Sequence, residues 1–276
     1  LNTTGGYNVA IGHDALDAST TGDHNVAVGH NALTTNTTAD DNTAVGSAAM
    51  NNNTTGNQNT AVGRNSMAAN TTGNQNSAFG RNTLDANTTG SYNACSGTNA
   101  LTANTTGGDN SAFGKSALGS NTTGNDNTAV GLYALGTNST GSNNVGIGAS
   151  ALNASTTAND NTAVGYNALS ANTGEKNVAI GNQSLALATT GDRNTAIGNY
   201  SMADAVVTGN QNTAVGDNAL RETTSGTLNT ALGCQSLYNN TTGSSNTGLG
   251  MNAGYGISGG TDNVAIGKNT LYNNNV

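Results

Sequence analysis

Residues 59–75 read Asn59-Thr60-Ala61-Val62-Gly63-Arg64-Asn65-Ser66-Met67-Ala68-Ala69-Asn70-Thr71-Thr72-Gly73-Asn74-Gln75, and with Asn76-Ser77-Ala78-Phe79-Gly80 the pattern starts again. The leading asparagine recurs sixteen times, from Asn8 and Asn25 through Asn246 to Asn263. Its step is 17 residues, broken once by 16 (Asn161 to Asn177) and once by 18 (Asn194 to Asn212). A glycine stands four residues after every one of them, from Gly12 to Gly267. A unit of this length is too short for a helical hairpin or a propeller blade and fits one coil of a solenoid. The fold class this predicts is all-β: a parallel β-solenoid, or β-roll, of sixteen coils of about 17 residues.

Within a coil, Asn-Thr-Ala-Val-Gly is short and β-branched, and the following x-x-Ala-Leu is a second candidate strand after a bend that glycine permits. Asn-Gly, the strongest hairpin signal, occurs nowhere in the chain. The strands are therefore expected to pair with their equivalents in neighbouring coils. Each recurring residue then becomes a column with a rise of about 4.8 Å per coil, giving a rod about 75 Å long. The Asn column reads as a ladder of amides satisfying one another, and the Gly column as a corner or a close backbone approach. The 16- and 18-residue steps are expected to be absorbed in loops.

Alternation along the first strand puts Asn59, Ala61 and Gly63 on one side and Thr60 and Val62 on the other. The Ala column and a Leu column (Leu16, Leu33, Leu84, Leu101, Leu118) are expected to fill a narrow two-sheet interior. The opposite side keeps Ile11, Val28, Val45, Val62, Phe79, Phe113, Val130, Ile147 and Val164 as an apolar stripe. One Val or Ile and one Leu per coil cannot offset the entropy of ordering a whole coil, so coils fold only when stacked. A stripe of this length left in water is an interaction surface, and identical chains are expected to cover it.

The composition fits no conventional enzyme domain: 276 residues, 8% charged, 4% aromatic, 39 Gly, no Pro and no Trp. Seven Lys and Arg against 15 Asp and Glu give a net charge of −8, with no basic stripe that would neutralise a nucleic-acid backbone. No apolar run approaches the length that spans a bilayer, and Leu1-Asn2-Thr3-Thr4 is not a signal sequence. Neither nucleic acid nor membrane insertion is expected. Because the repeats run from end to end without caps, residues 1–276 are read as a single solenoid domain, a segment of a longer protein.

Asn-Val-Ala-Ile-Gly occurs verbatim at residues 8–12, 177–181 and 263–267, with close variants in the other coils. This resembles the head repeats of trimeric autotransporter adhesins and is similar to the Asn-Thr-Ala-Val/Ile-Gly arrays of phage tail-fibre proteins. The adhesin heads have shorter repeats, and the additional Thr-Thr-Gly loop points toward the tail-fibre relatives. The resemblance implies a left-handed roll assembled as a homotrimer, with Val9, Ile11 and their equivalents toward the trimer axis. It also implies an extracellular location, on a virion tail fibre or a bacterial surface, and a host receptor or glycan as an external partner.

No residues are assigned to catalysis, cofactor binding or metal binding. His13 and His30 share a column and lie close enough to share a metal ion, but are read as solvated surface residues. Asp41, Asp109, Asp126, Asp160 and Asp262 each precede a column Asn, where stacked carboxylates can hold Ca²⁺ or simply edge a loop. Tyr238, Tyr255 and Tyr272 make a short aromatic column. Sequons at Asn2, Asn36, Asn53, Asn70, Asn87, Asn104, Asn121, Asn138 and Asn240 read as turn residues, or as glycan sites in a eukaryotic secretory pathway. Cys95 falls in the interior Ala column and Cys234 after a corner glycine. The coil count separates them by about 38 Å, too far for a disulfide. The reading that follows is a non-enzymatic fibre segment acting as spacer and attachment surface. Its rivals are an ice-binding solenoid with an exposed Thr-x-Val face and a hydrolytic tailspike.

Overall fold

The computed structural model describes residues 3–273, which fall into two compact units dividing between Gly141 and Ser142. The first unit carries eight three-residue strands: β1 (Val9–Ile11), β2 (Val26–Val28), β3 (Thr43–Val45), β4 (Thr60–Val62), β5 (Ser77–Phe79), β6 (Ala94–Ser96), β7 (Ser111–Phe113) and β8 (Thr128–Val130). The second carries β9 (Val145–Ile147), β10 (Thr162–Val164), β11 (Val178–Ile180), β12 (Thr195–Ile197), β13 (Thr213–Val215), β14 (Thr230–Leu232), β15 (Thr247–Leu249) and β16 (Val264–Ile266). Within each unit every strand pairs in parallel with the next, Ala on Ala, as in Ala27↔Ala44 and Ala196↔Ala214. The chain is an all-β parallel solenoid, and no helix is present among the described residues.

The register passes unbroken through both irregular steps. Thr162 pairs with Val178 across the 16-residue step and Thr195 with Thr213 across the 18-residue one. The shorter coil loses a residue from its loop, so Asn172 reaches Gly174 O two residues on, where its counterparts reach three. The longer coil takes its extra residue before Val207, which is buried where other coils carry asparagine.

Each unit has one sheet, not two. The x-x-Ala-Leu segment predicted as a second strand is a run of turns, because two of its residues are left-handed: Asn31 and Leu33 have φ of 55° and 53°, and their equivalents match. Its amides still bond to the next coil, as Leu33 N–H does to Ala49 O at 2.9 Å. The residue before each column Asn is left-handed as well, for example Gln58 at 58°. No Val, Ile or Thr stands at any of these left-handed positions, consistent with the steric exclusion of β-branched side chains there.

The interior of each coil is one residue deep. Ala61 from the strand, Met67 or Leu84 from the turn and two asparagines, such as Asn59 and Asn70, are fully buried. Gly29 shows why glycine recurs at the strand end: its φ is 136°, and a Cβ there would sit 2.6 Å from Gly46 O.

Candidate functional site

Alternation leaves one face of the sheet open. In the fourth coil Asn59 and Ala61 are buried, whereas Gln58, Thr60, Val62 and Arg64 reach solvent. Stacked coil on coil, this makes a face four side chains wide with two uncharged inner columns. The apolar one is the predicted stripe, and in the single chain it is substantially exposed: 61% at Ile11, 46% at Phe79 and 45% at Phe113 in the first unit, and 47% at Leu232 in the second.

The Asn column forms the expected amide ladder over several coils, Asn93 Nδ2 donating to Asn76 Oδ1 and Asn110 Nδ2 to Asn93 Oδ1, each at 3.1 Å, and it has a further task. Asn42 N–H donates to Asn25 Oδ1 at 3.0 Å, while Asn42 Nδ2 donates across the coil to Gly56 O at 2.9 Å. Each side chain thus ties the next coil's backbone to its own loop. A second amide-on-amide ladder runs at the sequon asparagines. Asn70 donates to Asn53, Asn87 to Asn70, Asn104 to Asn87 and Asn121 to Asn104, all at 2.8–2.9 Å and all fully buried. The glycan reading does not hold for these residues, since an interior amide is not accessible to a glycosyltransferase; they lie in the loop as turn residues, Asn70 Nδ2 donating to Gly73 O three residues on, but face inward. Asn2 lies outside the described residues. Where Ser19, Ser155 and Thr223 replace the amide, their buried hydroxyls find no partner.

The titratable candidates are surface residues. His13 and His30 stack face to face with ring centroids 5.4 Å apart, and His13 Nδ1 lies 2.9 Å from Asp14 Oδ2. Stacked rings direct their faces, not their nitrogens, at each other. Asp41, Asp109 and Asp126 are exposed in their column, and no group of three His, Cys, Asp or Glu able to hold a metal occurs among the described residues. Tyr7 also stacks on His24, at 5.0 Å.

Tyr238, Tyr255 and Tyr272 form the aromatic column expected, with centroids 5.1 and 4.9 Å apart. Their ring faces cover one another. Sequence reasoning missed Arg221, whose guanidinium caps Tyr238 at 5.9 Å and Tyr200 at 5.2 Å and is hydrogen-bonded to Asp204. That hydrogen bond is the main cause holding its pKa above the usual value. Cys95 is buried with Sγ 3.6 Å from Ser77 O, and burial pushes its thiol pKa up; Cys234 is exposed, and both are free thiols.

No protein-family model matches the chain, and no curated protein sequence matches it. No helix among the described residues is long and apolar enough to cross a membrane. The feature with the reach of a functional site is therefore the open sheet face itself, repeated in every coil.

Proposed function

We propose that this chain is a non-enzymatic structural segment of an extracellular fibre, in a phage tail fibre or a bacterial surface adhesin, acting as a stiff spacer and attachment surface. It self-associates through the open sheet face, as a homotrimer in keeping with the resemblance of its repeats, and its loops are the surface available to a host receptor or glycan. The observation that carries this reading is the solvent-reaching apolar column, Ile11 to Val130 in the first unit, broken only by Ser96, and Ile147 to Ile266 in the second, beside uncharged Thr, Ser, Ala and Val. Soluble monomers rarely leave so regular an apolar surface in water.

Sedimentation equilibrium of the wild type and of Val62→Asp and Ile147→Asp tests it. The wild type should run at three times its 27.1 kDa chain mass. The variants should dissociate while keeping their β signal, because these side chains already reach solvent in a single chain and a charge is costly there only when covered. A wild type that stays monomeric at high concentration overturns the reading. It would favour the ice-binding alternative, whose supporting observation is Thr43 on Thr60 beside Val45 on Val62 on one face. Thermal hysteresis would then be the assay.

A further inference from the structure

The charges on the open face of the first unit are sorted by edge. One edge is the column before the Asn and carries Asp41, Asp109 and Asp126; the other is the column after the Gly and carries Arg64, Arg81 and Lys115. These three are the only Lys and Arg among residues 1–141, so all the permanent positive charge of that stretch lies on one edge. No acidic residue occurs in the basic column and no Lys or Arg in the acidic one. All six side chains are exposed. Arg64, Arg81, Lys115, Asp109 and Asp126 make no ion pair or side-chain hydrogen bond among the described residues, and Asp41 approaches only His24, at 4.0 Å. Six residues separate the two edges within a coil, at most about 20 Å along the chain, and no ion pair joins the two edges among the described residues.

We propose that this face docks on a second copy of the chain in parallel alignment, the Arg64, Arg81 and Lys115 edge of one copy lying against the Asp41, Asp109 and Asp126 edge of the other. The inference rests on the self-association proposed above and adds its polarity and register. Copies related by a rotation about the stacking direction bring the acidic edge of one to the basic edge of the next. A copy turned end for end brings acid to acid and base to base, which complementarity disfavours. Eight coils at about 4.8 Å by a face up to about 20 Å wide present up to about 800 Å² per copy, within the size of a standard interface. Apolar columns lie in its centre and charges at its rim, where charges select orientation more than they add affinity. Asp109 and Lys115 belong to the same coil on opposite edges, so in-register parallel copies set Lys115 of one beside Asp109 of the other. The second unit lacks this sorting, since Lys176 and Arg193 share a column with Asp160 and Asp262. The inference concerns the first unit alone.

A charge-swap cycle tests it. Self-association of the wild type, Asp109→Lys, Lys115→Asp and the double variant is measured by sedimentation at low ionic strength. Each single variant should weaken association roughly tenfold, and the double variant should recover to within about threefold of the wild type. Wild-type association should weaken between about 0.05 and 0.5 M salt. Additive losses, indifference of the single variants or salt-independent association in an oligomeric wild type would overturn parallel docking and leave self-association standing. A wild type monomeric at about 0.1 mM would overturn self-association itself, and the parallel docking with it.

Discussion

Asn87 Nδ2 donates to Asn70 Oδ1 at 2.8 Å, with both amides fully buried. No other donor reaches that oxygen among the described residues. Gly90 O, the second acceptor of Asn87, is also served by Asn76 Nδ2 at 2.9 Å.

Asn87→Leu, branched at the same carbon but larger, should therefore cost at least about 1–3 kcal/mol, from orphaning Asn70 Oδ1 and from overpacking. Urea unfolding of the variant against the wild type checks this. An unchanged midpoint and slope would show that the ladder adds nothing to stability.

Leu84 is fully buried with φ of 53°, and Met67 holds the same place one coil earlier with the same φ. Leu84→Met should be nearly neutral. Leu84→Ile keeps the volume but places a β-branched side chain in the left-handed region, and should cost about 2 kcal/mol more than Met. Denaturant titration of the pair separates backbone conformation from packing.

The two thiols should react very differently. One equivalent of a thiol reagent should be taken up rapidly at neutral pH, at exposed Cys234, and a second only on unfolding. Even at pH about 9, Cys95, buried and with its pKa pushed up, should remain unreacted in the folded protein. Peptide mapping after alkylation of the folded protein reads both sites.

Burial raises the Asp85 pKa above its ordinary 3.8. The folded state thus holds its proton more tightly than the unfolded chain. This group carries no penalty below about 3.8, and its ionisation increasingly opposes folding as pH rises through the raised folded value. Asp85→Asn should stabilise the protein at pH 7 and have no such effect at pH 3, as thermal melts at the two pH values would show.

The stacked parallel strands, the buried Ala column, the unbroken register and the role of glycine were all legible in the sequence, because each depends on spacing. The second strand was misjudged because Ala-Leu looks the same in an extended segment and in a left-handed turn. A signal was nonetheless present: the column is Leu or Met in every coil except at Gly254, and never Val or Ile. The inner asparagines were hidden by their Asn-Thr-Thr-Gly context, which in an ordinary loop means solvent. Their recurrence at Asn53, Asn70 and Asn87, one per coil, is what distinguishes a stacked interior from a turn. Edge sorting was passed over because net charge conceals it.

The bonds between coils all run along the direction of stacking, from Thr60 N–H to Asn76 O in the strand, Met67 N–H to Thr83 O in the turn and Thr71 N–H to Thr88 O in the loop. Tension in that direction therefore loads all the bonds of one coil junction together and does not peel them singly. When a junction gives way, the freed 17 residues supply roughly 50–60 Å of slack before the next is stressed. A single unit pulled by its ends should yield as evenly spaced ruptures, each absorbing work while the remaining coils stay folded. A fibre made this way fails by lengthening in steps and not by snapping.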